Sequence, residues 1–243
     1  MPTTPSATFR PTLTVEIWSD LICPWCWIGK RRFDTALATF AHADRVDVVL
    51  RAYRLMPGEP VEPVEAMLAA KYRLSPPQVE QMLRQVTEAA ASVGLRYDLP
   101  GTLVGDTLDA HRLVKLAETT GHAHALTERL YRAYFSEHGS LFDHGALAEF
   151  AVDAGLERTA SEAVLASDAY RDEVEADGAR AAQIGGRVVP LFVFGGRYAV
   201  SGAQPADTFA QALEQAWQDG IVAPGETDAA ACGPDGCALP PTA

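Results

Sequence analysis

Two cysteines two residues apart, in Leu21-Ile22-Cys23-Pro24-Trp25-Cys26-Trp27, constrain this chain more than any other feature. Upstream, Thr12-Leu13-Thr14-Val15-Glu16-Ile17-Trp18 alternates polar with apolar residues and is rich in β-branched and aromatic side chains, which predicts a strand. Ser19-Asp20 breaks the alternation. Downstream, Ile28, Phe33, Ala36, Leu37 and Phe40 recur at helical spacing as far as Ala41. The cysteines therefore fall where a strand gives way to a helix. Pro24 suits the first helical position, which needs no amide hydrogen, so Cys23 is expected at the N-cap. A sulfur there faces the unpaired amides of the first turn and the positive end of the helix dipole, and both favour thiolate over thiol. Cys26, one turn along, can reach back to the same sulfur. The spacing suits a nucleophile, Cys23, with a resolving partner, Cys26.

Two plainer readings compete. Cys-x-x-Cys is often half of a zinc site, and the chain has a second pair, Cys232 and Cys237. Zinc pairs, however, usually sit on turns rich in Gly, Lys or Asp, whereas an apolar strand entering a Pro-initiated helix is a redox setting. Reading Cys23 and Cys26 as core cysteines would leave Pro24 and the strand-to-helix junction without a purpose. Dithiol chemistry without a metal is the expectation.

With 243 residues, 48% of them hydrophobic, the chain can build one large domain or a domain with a sizeable insertion. No apolar run is long enough for a membrane span. A formal net charge of −12 argues against nucleic acid or an anionic membrane as partner. Met1 to Pro11 has neither the basic region nor the apolar run of a secretory signal. The four cysteines are thus expected in a reducing compartment, the cytoplasm, where disulfides are transient and catalytic.

After the first helix, Arg45 to Tyr53 alternates well enough for a second strand. The connection is of crossover length, so the two strands should be parallel neighbours. That puts the cysteines at the C-terminal end of the first strand, the usual place for a site in an α/β sheet. Pro57, Pro60 and Pro63 then mark a linker. Helices are expected over Val64–Tyr72, from the capping box Ser75-Pro76-Pro77-Gln78 to Gly94, and over Thr107–Thr119, Ala125–Glu137 and Gly145–Ala154. Asp143 is a candidate cap for the last of these. Thr159–Ala182 supplies one or two more, with Tyr170, Val174, Ala181 and Ile184 on one face. Residues 57–185 read as an all-helical insertion with no strand, and Tyr97–Gly105 as a loop. Strand character returns over Val188–Phe194, Gly195-Gly196 makes a two-residue hairpin turn, and Arg197–Val200 returns. Pro205 opens a final helix with Phe209, Ala212, Leu213, Ala216 and Trp217 on one side.

The order is strand, Cys-x-x-Cys, helix and strand, a helical block, then Val-Pro, strand, hairpin, strand and helix. It resembles the thioredoxin superfamily, with the large helical insertion of the DsbA-like branch. Within that branch, Ser19-Asp20-Leu21-Ile22-Cys23-Pro24-Trp25-Cys26-Trp27-Ile28-Gly29 and Tyr198-Ala199-Val200-Ser201-Gly202-Ala203-Gln204-Pro205 look like the FrnE-type disulfide oxidoreductases. The resemblance implies an α/β chain: a thioredoxin fold over 12–56 and 186–220, an inserted all-helical domain over 57–185, and a tail over 221–243. It also implies a cis Val189–Pro190 peptide beside the cysteines, with the backbone of Val189 pairing with an extended substrate. Pro24 and Trp25 would border the same substrate.

Two departures from the family pattern bear on that picture. Members commonly have Gly where this chain has Val188, an added side chain that would narrow the substrate groove or alter the strand's approach. Trp25 replaces the His of the strongly oxidising periplasmic members and offers no cationic partner to a thiolate, which points toward a more reducing potential. Trp27 is read equally well as core packing. His111, with Leu108 and Val114 at three-residue intervals, is first a core or domain-interface residue. Its Ala110-His111-Arg112-Leu113 segment, which looks typical of the family, would turn it toward the cysteines instead. His122 and His124 are expected in a solvated loop, and nothing pairs His138 or His144 with a nucleophile.

The function read from these residues is thiol-disulfide exchange on disulfide-containing proteins or small thiols. No cofactor is expected beyond the redox-active disulfide, with glutathione or another thiol as co-substrate. One alternative is a glutathione-dependent isomerase or transferase like hydroxychromene carboxylate isomerase or the kappa glutathione transferases, which carry Ser at the first motif position. Another is a zinc-stapled binding protein. In the tail, Gly233-Pro234-Asp235-Gly236 has tight-turn chemistry that would bring Cys232 and Cys237 within bridging distance as a second dithiol. The alternative there is an incidental surface bridge.

Overall fold

The computed structural model describes residues 12–221, so Cys232 and Cys237 lie outside the described residues. The chain opens with β1 (Leu13–Ser19), α1 (Pro24–Thr39) and β2 (Val46–Ala52). A middle block follows: β3 (Glu62–Pro63), α2 (Val64–Tyr72), α3 (Pro76–Ala91), β4 (Leu103–Val104), α4 (Leu108–Thr119), α5 (Ala123–Glu137), α6 (His144–Asp153), α7 (Arg158–Leu165) and α8 (Arg171–Gln183). It closes with β5 (Leu191–Phe194), β6 (Tyr198–Ser201) and α9 (Ala206–Ile221). This is the expected α/β chain with a thioredoxin fold and a large helical insertion. Among the described residues no helix is long and apolar enough to cross a membrane.

The main sheet has the order β2-β1-β5-β6. β1 and β2 run parallel from Leu13 opposite Val46 to Ser19 opposite Ala52, as the crossover length requires. β5 is antiparallel to both β1 and β6. Below the sheet, Phe33 of α1, Phe192 of β5 and Phe209 of α9 form an aromatic core, with Phe192 and Phe209 centroids 4.5 Å apart. On the other face the helical block covers β1. Asp177 of α8 accepts from the Ala52 amide at 2.9 Å and pairs with Lys115 of α4 at 2.7 Å and with Arg51 of β2 at 3.3 Å. Trp18 donates its indole hydrogen to the Asp177 carbonyl at 2.8 Å, and Glu16 pairs with Arg51 and Arg180. Thus β1 is buried on both faces apart from Thr14.

Several local expectations change. The middle block is not free of strands: Glu62–Pro63 pairs antiparallel with Leu103–Val104, within the segment read as a loop. A two-residue strand is too short to show a period of two. α5 begins at Ala123, so His122 occupies its N-cap position without a side-chain capping bond, and His124 stands in its first turn rather than in a loop. Ile184 is exposed because α8 ends before it, at Gln183, and Gly185 follows with φ of 78°. Val188, Val189 and Pro190 precede β5 instead of belonging to it. Gly195 and Gly196, with φ of 57° and 68°, do form the turn, but Phe194 pairs with Tyr198, which leaves Arg197 in the connection. Asp143 caps α6 through a bond from the Ala146 amide at 2.8 Å.

Candidate active site

The site begins where β1 ends. Asp20, Leu21 and Ile22 turn the chain, and the Cys23 amide donates to the Asp20 carbonyl at 3.1 Å. Cys23 is the N-cap of α1, in extended backbone conformation, and Pro24 is the first helical residue. Cys26 lies one turn inside, its amide bonded to the Cys23 carbonyl at 3.0 Å. Both thiols are free and both are buried.

The Cys23 sulfur makes no capping bond to the helix amides, in contrast to the expectation that it would face them. Instead Sγ is directed at the Val189 carbonyl, 3.8 Å away. The Val189–Pro190 peptide is cis, as the resemblance implied, and its loop packs beside the start of α1. Close approach is possible because residue 29 is glycine. A Cβ there would meet Pro190 Cγ at 2.8 Å and Ala203 at 3.4 Å. Val188, at the position of the family's glycine, is 58% exposed. The Val189 side chain is buried.

Around Cys26 the surroundings are dry. Burial, then the hydrogen bond and the charge of Cys23, push its thiol well above the ordinary value. The Asp20 backbone opposes that shift through a hydrogen bond, and the Asp20 carboxylate reinforces it. Trp27, Tyr97, Tyr131 and Phe135 stack on one another nearby, with Tyr97 and Phe135 centroids 4.6 Å apart. The Tyr97 hydroxyl donates to the Pro24 carbonyl at 2.8 Å. Burial is the main cause that raises the Tyr97 and Tyr131 phenols, and the two cysteines add to it, so both hydroxyls remain protonated donors. Trp27 is a core residue, as its plainer reading had it, whereas Trp25 is 42% exposed beside Cys23.

His111 is buried against Asp20, so its core reading holds, and it lies beside the turn that leads into Cys23. Asp20 itself is the residue that sequence reasoning passed over. It is fully buried, and its carboxylate accepts from Thr107 Oγ1 at 2.8 Å and the Leu55 amide at 2.6 Å. One side chain thereby ties the turn before Cys23 to the end of β2 and the start of α4. An aspartate breaking the strand pattern three residues before the cysteine was the available signal. His138 and His144 pair with Asp98 and Asp109 away from the thiols. Among the described residues no group of three or more His, Cys, Asp or Glu side chains is placed to hold a metal.

Residues 14–214 match the model of the DSBA-like thioredoxin domain. The chain belongs to that family. It is 47% identical to a probable DsbA oxidoreductase of Streptomyces coelicolor, with a TM-score of 0.85 over 94% of this chain and 100% of that one. The cytosolic disulfide reductase DsbM of Pseudomonas aeruginosa shares the fold at 17% identity and a TM-score of 0.58, covering 84% of this chain and 98% of its own. A 2-hydroxychromene-2-carboxylate isomerase does so at 13% identity and 0.63, covering 85% and 97%. At the level of the family the chain is a DsbA-like oxidoreductase.

Proposed function

We propose that the chain is a dithiol oxidoreductase that reduces or isomerises disulfides, with Cys23 as nucleophile and Cys26 as resolving thiol. The observation that carries this reading is the Cys23 sulfur, at an N-cap and 3.8 Å from the Val189 carbonyl. A substrate strand that pairs with the Val189 backbone has its disulfide held next to that sulfur. Cys23 attacks one substrate sulfur, a mixed disulfide forms, and the other substrate sulfur leaves as thiolate. Cys26 then attacks the Cys23 sulfur and releases the second substrate thiolate. A buried Cys26 with a raised pKa stays protonated until that step, so Cys23 is the thiol that meets substrate first. Glutathione or another thiol restores the reduced pair, a cycle that suits the reducing cytoplasm.

Trapping is the direct test. Cys26→Ser should accumulate a mixed disulfide on Cys23, seen by mass spectrometry of non-reduced peptides, and Cys23→Ser should accumulate none. Glutathione conjugation or isomerisation that survives Cys26→Ser would instead favour the transferase reading. The same non-reduced map reports whether Cys232 or Cys237 exchanges with Cys23.

A further inference from the structure

Cys23 also borders an apolar cavity of about 570 Å³, between the start of α1 and the helices α2 and α3. That volume is in the range of small-molecule sites. Of the four methionines in the chain, the three beyond Met1 all line it: Met56, Met67 and Met82. Unbranched thioethers adapt to irregular apolar shapes, so this wall suits an apolar body of variable outline. Two polar groups in the wall are already committed: the Thr102 hydroxyl donates to the Leu99 carbonyl at 2.9 Å and the Tyr134 hydroxyl to the Leu103 carbonyl at 2.7 Å. These two offer an occupant little hydrogen bonding, and the exposed Gln85 adds an amide to the lining. Trp25, Leu55 and Tyr72 are exposed on the cavity's rim, where apolar side chains remain in contact with water. Among the described residues Lys71 is the only charged one in the lining, with its ammonium 5.7 Å from the Tyr72 ring centroid.

We propose that this cavity takes the apolar body of a small-molecule disulfide, with a carboxylate on that body placed at Lys71 and the S–S bond presented to Cys23. The proposal rests on the dithiol reading above and names a substrate class for it. Cys23 thiolate attacks one sulfur of RS–SR; the S–S bond breaks, Cys23–S–S–R forms and RS⁻ departs. Cys26 attacks the Cys23 sulfur, the second RS⁻ departs, and the enzyme is left as the Cys23–Cys26 disulfide. Two electrons pass from the dithiol to the substrate, the Cys26 proton goes to one of the released thiolates, and the other departs as RS⁻ because Cys23 had already lost its proton on forming the thiolate. Two equivalents of a small thiol then reduce the enzyme and leave as their own disulfide.

The test uses the full chain in a Cys232→Ser/Cys237→Ser background, reduced, in stopped flow. The probes are 5,5′-dithiobis(2-nitrobenzoate), an aryl disulfide with carboxylates, and bis(2-hydroxyethyl) disulfide, which is small and polar. Met67→Trp fills the cavity and should lower the aryl-to-hydroxyethyl ratio of rate constants about ten-fold, the scale of a misfitted apolar pocket. Lys71→Gln should lower the same ratio by a smaller factor. Should Met67→Trp fail to fold, inhibition of the unsubstituted protein gives the second readout. Biphenyl-4-carboxylate, which does not react with thiols, should slow the aryl reaction in competition with substrate. An unchanged ratio with no inhibition overturns the cavity assignment and leaves the dithiol reading standing. Absence of oxidation by both disulfides overturns the two together.

Discussion

His111 Nε2 stands 3.6 Å from Asp20 Oδ1, both side chains are buried, and among the described residues the imidazole nitrogen has no hydrogen-bond partner. The Asp20 carboxylate is meanwhile held from Thr107 and Leu55. A carboxylate so placed opposes ionisation of Cys26, whose thiol it helps to raise. Asp20→Asn removes that charge, so Cys26 should ionise at lower pH than in the unsubstituted protein. Alkylation rate against pH in a Cys23→Ser/Cys232→Ser/Cys237→Ser background checks it, and an unmoved profile refutes it. The same substitution can turn an amide NH₂ toward the Leu55 amide, leaving a buried donor unpaired. Stability should fall by about 1–3 kcal/mol.

The raised Cys26 thiol also sets a pH dependence of stability. In the fold it keeps its proton to higher pH than in the unfolded chain. Its contribution is therefore complete below the unfolded value of about 8.5 and is lost as pH rises from there toward the folded value. Relative to Cys26→Ala, the reduced protein should lose up to about 1.4 kcal/mol per pH unit in that window. Urea unfolding of both proteins at pH 7.5 and pH 10 measures the difference. Comparing the two cancels the buried tyrosines, which respond in the same direction.

Gly29→Ala should damage the site from behind. The new methyl would lie 2.8 Å from Pro190 Cγ and 3.4 Å from the Ala203 backbone, so α1 or the Pro190 loop must shift. Overpacking of this kind costs about 1–3 kcal/mol. Because Val189 moves with the loop, disulfide reductase kcat/KM should fall further than the change in Tm alone accounts for. Equal retention of activity would separate the loop position from catalysis.

Asp177 anchors the helical block on the sheet. Asp177→Ala would remove the 2.7 Å partner of buried Lys115, which keeps only the more exposed Glu118 at 2.9 Å, and would leave the Ala52 amide without its acceptor, so the loss should fall toward the lower end of the range for a broken buried pair. Loss of one member of a buried pair costs about 3–5 kcal/mol. Thermal unfolding should show a correspondingly lower Tm. Asp177→Asn, which keeps an acceptor for the amide, should lose less.

The redox motif is legible in the sequence because everything that defines it is local. Pro24 starts a helix, Cys23 precedes it, Cys26 follows one turn on, and the alternating Leu13–Trp18 run leads in. Chain length between β1 and β2 likewise decides that they pair in parallel. The surroundings of the thiols are different in kind. The Cys23 sulfur meets a carbonyl 166 residues away, Asp20 meets a hydroxyl 87 residues away, and Trp18 meets a carbonyl 159 residues away. No periodicity of 2 or 3.6 residues encodes such distances. Nor does it reveal that Met56, Met67 and Met82, each unexceptional on its own segment, line one cavity with Cys23. What the sequence determined by itself was the chemistry of two sulfurs and the helix end that holds them, since backbone propensity and capping act within a turn. What only the tertiary structure decided was which groups those sulfurs face, because that depends on how separate elements pack and on where a missing Cβ at Gly29 lets them approach.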